Sequence, residues 1–361
     1  MELASLWFFG QRLFLCECPS HPPGRAFVMW SGVTMSVYRK RFLKAFLLLV
    51  LVAAVGLLIF ARTGSPRVDR LSRKRSAARA VAWLRTQQQS DGSFGSLTLT
   101  AEMVEAISDT GEDVRSREWT PDGVSLYQAL EDQTGKYMEG GKRDAGVIAR
   151  ILLGVIAAGG NPRRFAGYDL VKALKLTYNS DSALYHETNM FRNSLAMLAL
   201  ARAGESVPER AVSRTFVEKR SRGCWGWQIG GKACDTDTTA VTMLALAANG
   251  VKRDRMEDVL QFLWRKEHRD AGWGSWDDQD ASNVDSTALV LLALKAFGEN
   301  PRGDRWSRRT FIRKTNPLKR LLEFQRKDGS FWYLDDQEGG KLLATCDALL
   351  AVSQSYPGDE K

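Results

Sequence analysis

Five apolar runs of near-identical layout, each closed by a glycine, constrain this chain more than any other feature. Aligned on Gly111, Gly159, Gly204, Gly250 and Gly298, they read TLTAEMVEAISDTG, GVIARILLGVIAAG, FRNSLAMLALARAG, DTTAVTMLALAANG and DSTALVLLALKAFG. The glycines are 48, 45, 46 and 48 residues apart. A sixth run, TCDALLAVSQSY, fits from Thr345 without the glycine. A fixed period of this length marks a repeated unit that buries its hydrophobic face only by stacking on its neighbours. The runs are apolar on nearly every side, which predicts helices held between two layers. The closing glycine fits a C-cap, where positive φ is needed.

An amphipathic stretch precedes each run, as in Ser76–Gln88, Met256–Glu267 and Asn316–Lys327. Between the two lies a turn rich in glycine and aromatics: SDGSFGS, GCWGWQIGG, DAGWGSW, KDGSFWY. Five tryptophans, Trp225, Trp227, Trp273, Trp276 and Trp332, sit in these turns. The unit is thus an outer helix, an aromatic turn and an inner helix. Six such hairpins predict an all-α fold, an α6/α6 toroid over residues 76–361. An open superhelix is the other way to stack hairpins, but inner helices apolar all round favour a closed ring.

AARAVAWLRTQQQSDGSFG and LKRLLEFQRKDGSFW resemble the QW-type repeats of squalene–hopene cyclases. That superfamily of α/α toroids also holds protein prenyltransferase β subunits and cobalamin carriers. The resemblance spans residues 76–356 and implies the fold more firmly than any activity, because the toroid hosts enzymes and binders alike.

The net charge of +9 is not spread over this domain. Arg39, Lys40, Arg41 and Lys44 precede the uncharged run Ala45–Ile59, and seven Lys/Arg follow between Arg62 and Arg79. Residues 80–361 carry −1. A nucleic-acid binder would place its basic face on the folded domain, so no nucleic-acid partner is expected. Residues 42–61 instead read as a single transmembrane helix, about 30 Å of apolar helix with basic flanks. The segments are then an N-terminal extension over 1–34, with translation from Met35; an anchor over 35–61; a basic linker over 62–75; and the toroid. A single-pass membrane protein is expected. The flanking charges leave the side of the toroid open.

Cys224 and Cys234 flank one loop, and either a disulfide in an exported domain or two free thiols suits them. Cys346 reads as a small buried residue. His21, His186 and His268 make no metal-ligand spacing with the cysteines. No metal and no cofactor is expected.

The candidate chemistry lies at the starts of the inner helices. In a closed ring these helices run the same way and their N-termini gather at one end. At the position of Asp237 the repeats carry Thr98, Gly146, Phe191, Asp237, Asp285 and Thr345. Two residues earlier stand Ser96, Asp144, Asn189, Asp235, Asn283 and Leu343. A helix cap accounts for Asp237 and Asp285 and leaves Asp235 and Asn283 as a surplus. The cyclase resemblance implies more. Proton-initiated terpene cyclases carry a D-x-D-D motif whose middle Asp is the acid. Asp235-Thr236-Asp237-Thr238 matches its first two acids, with Thr238 in the last place. Asp237 would then be the acid and Asp235 its neighbour. Asp285, Asn283, Asp144 and Asn189 would line the ligand site, and Trp225, Trp227 and Trp273 would offer aromatic faces to a carbocation. The zinc trio of prenyltransferases is not seen. A sugar-processing toroid would draw on Asp277, Asp278 and Asp335 in the turns. Two functions follow: a polyene cyclase taking an apolar isoprenoid-like ligand, or a non-catalytic toroid that binds a ligand or a protein partner.

Overall fold

The computed structural model describes residues 46, 48, 50–51, 66–276, 281–309, 314–337 and 339–359. The chain divides into two compact units, Met1–Thr63 and Gly64–Lys361. In the second, helices α1 (Pro66–Arg85), α2 (Leu97–Ser108), α3 (Leu126–Glu139), α4 (Ala145–Ala157), α5 (Leu170–Lys175) and α6 (Met190–Arg202) come first. They are followed by α7 (Glu209–Val217), α8 (Thr236–Ala248), α9 (Glu257–Lys266), α10 (Val284–Ala296), α11 (Pro317–Glu323) and α12 (Lys341–Val352). The even-numbered helices are the apolar runs. A short antiparallel ladder pairs Arg308–Arg309 with Lys314–Thr315.

The even-numbered helices touch in a closed cycle. α2 packs on α4, α4 on α6, α6 on α8, α8 on α10, α10 on α12, and α12 returns to α2. Outside them α3 packs on α2, α5 on α4 and α6, α11 on α10, and α1 on α12. A helix in the inner ring meets protein on almost every side. In α8, Ala240, Met243, Ala245 and Leu246 are all buried, which explains an apolar pattern without a polar face. The closing glycines sit at φ between 66° and 92°, in the left-handed region.

One repeated hydrogen bond fixes each aromatic turn to the inner helix after it. The backbone N–H groups of Phe94, Trp225, Trp273 and Phe331 donate to Oγ1 of Thr100, Thr239, Thr287 and Thr345, at 3.2, 3.0, 3.1 and 2.9 Å. Tyr185 N–H donates to Asn193 Oδ1 in the same way at 2.8 Å. This corrects the register of the sixth repeat. Thr345 matches Thr239, so Leu343 and not Thr345 shares the place of Asp237. The last run lacks its glycine, and an alignment keyed to that glycine slipped by two residues.

The basic stretch expected as a linker is helical from Pro66 onward. Its Lys, Arg, Leu and Ala are good helix formers, and Pro suits a first helical position. Among the described residues no helix is long and apolar enough to cross a membrane. The expected span 42–61 lies outside the described residues, except for residues 46, 48, 50 and 51, which are helical.

Cys224 and Cys234 form a disulfide with Cα atoms 5.8 Å apart. It closes the loop that carries Trp227 and ends beside Asp235. Opening it with Cys224→Ser and Cys234→Ser is expected to destabilise the domain by about 3 kcal/mol, from the entropy of a loop this short. Chemical denaturation of the double variant checks this; an unchanged midpoint would show that the loop is ordered without the bond.

Candidate functional site

The ring encloses two cavities, one at each end. The cavity at the N-terminal end of the inner helices has a volume of about 400 Å³ and takes residues from the first two turns of all six. The other, about 420 Å³, takes residues from their later turns. The lining positions fall at i, i+4 and i+7, the spacing of one helix face: Thr98, Glu102 and Glu105 in α2, or Phe191, Leu195 and Leu198 in α6. Arg150, Leu195, Leu289 and Asp347 line both cavities and form a belt between them.

The N-terminal cavity has an acidic wall on α8 and α10. Asp235 is the N-cap of α8, in extended backbone, and its Oδ1 accepts the N–H of Thr238 at 2.6 Å. Asp237 lies in the first turn, beside the hydroxyls of Ser275 and Ser286. Asp285 holds the matching place in α10. Oδ1 of Asp237 and Oδ1 of Asp285 are buried without a hydrogen-bond partner among the described residues. Burial raises all three carboxyls, Asp235 to about 6 and Asp285 to about 7. The charge of Asp237 adds to the rise at Asp285. Two acids this close in a dry site cannot both ionise easily.

A second acidic layer lies one turn deeper. Arg150 Nη2 meets Glu102 Oε1 at 2.5 Å. Burial still raises Glu102, against the pull of Arg150. Asp347 rises well above the usual carboxylate range, through burial first and then Asp285 and Glu102. Within this cluster one guanidinium serves both acids of the layer. The cavity thus raises the proton affinity of every carboxyl in the two layers. Aromatic and apolar walls complete it: Trp227, Trp276, Phe191, Leu289 and Leu343. Phe191 and Trp227 pack with ring centroids 5.8 Å apart.

The caps are the reverse of the sequence expectation. Asp235 and Asn283 cap their helices, and Asn283 Oδ1 takes the N–H of Ser286 at 2.8 Å. Asp237 and Asp285 are the surplus. A cap side chain reaches the N–H three residues on, and the helices start at Thr236 and Val284. Asp144 and Asn189 also cap, taking N–H groups of Gly146 and Val147 and of Arg192. They stand beside the cavity and do not line it. Trp225 and Trp273 lie elsewhere, fully buried between the helix layers. Their indoles donate at 2.8 Å to the carbonyls of Thr215 in α7 and Leu263 in α9. Only Trp227 of the three reaches the cavity, and Trp276 joins it. Asp335 is held by Arg320, and Asp277 and Asp278 lie outside the described residues. Glu102, Arg150 and Asp347 were missed, although a charge inside an apolar helix is a signal in itself. Among the described residues no group of three or more His, Cys, Asp or Glu is arranged to hold a metal ion.

The raised carboxyl of Asp285 predicts a pH effect. Below about pH 4 the group is protonated both folded and unfolded. Between about 4 and about 7 the unfolded chain loses the proton first, so ionisation favours unfolding and stability falls as pH rises. Above about 7 the penalty is constant. Asp285→Asn removes this term. Its gain in stability over the parent is expected to grow from pH 4 to 7 and reach roughly a few kcal/mol, as read by denaturation across that range. A gain that does not vary with pH contradicts it.

Comparison with solved structures places this architecture. The apo type II terpene cyclase MstE from Scytonema superposes with a TM-score of 0.56 at 13% identity, over 78% of this chain and 98% of that one. The fold is that of a terpenoid-cyclase-like toroid. A variant of the same cyclase bound to its substrate, geranylgeranyl dihydroxybenzoate, gives 0.54 at 14% identity, over 79% and 97%. A glycosidase variant in complex with glucose gives 0.52 at 13%, over 78% and 96%. Identities this low establish the fold alone. In sequence, the uncharacterized protein CG3556 of Drosophila melanogaster is 26% identical over 296 residues, 76% of this chain and 44% of that protein. The chain therefore spans less than half the length of that relative. No family model matches.

Proposed function

We propose that six repeats of one helical hairpin enclose a ligand lumen, and that its N-terminal cavity is a general-acid site for an isoprenoid-type polyene. The observation that carries this reading is the carboxyl of Asp237. Burial pushes its pKa up, it lines an aromatic-walled cavity, and one of its oxygens has no partner among the described residues. In the proposed reaction the acid proton of Asp237 adds to one carbon of a terminal double bond, and the π pair forms the new C–H bond. The adjacent carbon becomes a cation, which the next double bond attacks. Loss of a proton at the end leaves an isomer of the substrate. Trp227, Trp276 and Phe191 present faces that stabilise cationic charge. The last acid of the D-x-D-D pattern is missing at Thr238. Asp285, from the neighbouring helix, supplies a further carboxyl beside Asp237.

The likeness to MstE, whose substrate carries a geranylgeranyl chain, supports the ligand class. We further propose a single-pass anchor over residues 42–61 that keeps the toroid at a membrane, where such ligands dissolve. The Cys224–Cys234 disulfide supports an oxidising compartment for the toroid. A toroid that binds its ligand without turnover is the second reading, favoured by the leucine wall of the other cavity, Leu153, Leu198, Leu244, Leu292 and Leu350.

The test is incubation of the purified protein with squalene and with shorter polyprenyl substrates, followed by product analysis. Cyclic isomers from the parent and none from Asp237→Asn support the cyclase. Tight binding with no product from any substrate supports the second reading.

A further inference from the structure

One inner helix breaks the pattern at the mouth of the N-terminal cavity. Where the other helices carry Thr98, Phe191, Asp237, Asp285 and Leu343, α4 carries Gly146. A Cβ at this position would lie 2.6 Å from Cγ and 3.0 Å from Cβ of Arg192. That is far inside the contact distance of two carbons. The space is taken by the stem of Arg192, which leans from α6 across the start of α4 and lines the cavity.

Its guanidinium is held, yet not used up. Nη1 donates to Asp144 Oδ2 at 2.5 Å. Asp144 is itself committed elsewhere. Its Oδ1 accepts the N–H groups of Gly146 and Val147 at 2.9 and 3.1 Å, and His186 Nε2 stands 3.7 Å from Oδ2. The start of α4 therefore shares the negative charge of Asp144. A guanidinium has five donors in a planar fork that matches an oxyanion. Among the described residues the bond to Asp144 leaves the Nη2–Nε edge for a ligand.

The mouth is thus split by charge. α8 and α10 present Asp235, Asp237 and Asp285. α4 and α6 present Arg192, with Arg150 one turn deeper. Arg192 belongs to α6, two places from α10 in the cycle of inner helices, and its stem lies over the start of α4, on the side away from α8. A neutral polyene has no use for such a cation.

We propose that Arg192 is an oxyanion-recognition residue, and that the ligand of this cavity is an isoprenoid chain with an anionic group at one end. This rests on the isoprenoid reading above. The anion docks at Arg192, and the carboxyls of α8 and α10 offer no cation that competes for it. That fixes one orientation and delivers the far end of the chain toward Asp237.

Two probes that differ only in this group test it: farnesoic acid and farnesol, titrated against the full chain by quenching of tryptophan fluorescence. The parent is expected to bind the acid about tenfold more tightly than the alcohol, the worth of a charge-assisted hydrogen bond. Arg192→Gln removes the preference, so that the acid and the alcohol bind alike. Arg192→Lys keeps part of it, since an ammonium retains the charge without the fork. Gly146→Ala displaces the stem and behaves like Arg192→Gln. Equal binding of the two probes by the parent, or a preference that survives Arg192→Gln, overturns the proposal. A preference without any cyclic product sinks the acid role of Asp237 and leaves the anion site standing. Product without a preference does the reverse. Binding of neither probe overturns both.

Discussion

Asp237→Asn is expected to lower turnover by about a hundred- to ten-thousand-fold, the range for loss of a positioned general acid. Asparagine has the same shape and can still accept from Ser275 and Ser286, so the cavity and the substrate affinity should change little. The loss then falls on kcat and not on KM, as for an interaction used only in the transition state. Asp235 has one oxygen engaged with the N–H of Thr238, and Asp347 lies a turn deeper, in the belt. Asp285 is the closest substitute, because it holds the matching place on α10, caps no helix and has its Oδ1 unpartnered among the described residues. Product from the parent and equal product from Asp237→Asn would move the acid role to Asp285. Asp285→Asn would then carry the large loss.

The ring could be read from the sequence because its determinants are local and repeated. The apolar runs and closing glycines recur at one period, and each specifies one inner helix. The site was half legible, for a reason visible in Asp235 and Asp237. Both lie near a helix start, and their roles depend on which residue is the first helical one. That is set by the hydrogen bond from Asp235 N–H to the carbonyl of Trp225 and by the extended backbone of Asp235. A one-residue shift exchanges cap and surplus. Trp225 and Trp227 make the same point. They are two residues apart in one turn, yet one seals the interlayer core and the other lines the cavity. In a regular strand residues two apart share a side; here the chain bends at Trp227, and composition cannot say where it bends. The charged belt was missed for a different cause. Glu102, Arg150 and Asp347 come from three repeats, and each alone looks like an isolated polar break in an apolar helix. Only the ring puts them together.

Arg150→Met tests whether the belt is one electrostatic unit. Methionine fills a similar volume of apolar stem, so packing is largely kept, and the loss is the guanidinium. At pH 8 the cost is expected to be about 3–5 kcal/mol, the penalty for breaking a buried pair and leaving its partner unpaired. Glu102 and Asp347 can escape part of that penalty by holding a proton. Without Arg150 the carboxyl of Glu102 rises further. The unfolded chain then releases its proton at a lower pH than the folded one, so the penalty grows as pH increases above about 4. At pH 5 the variant should lie much closer to the parent. Arg150→Met combined with Glu102→Gln should recover most of the loss at pH 8, because no unpaired charge is left behind. Denaturant unfolding of parent, single and double variants at the two pH values reads all of this. A loss of equal size at pH 5 and 8, or a double variant no better than Arg150→Met, would mean that Arg150 acts through packing alone. The carboxyls of the N-terminal cavity would then be raised by their own burial, without help from the layer beneath them.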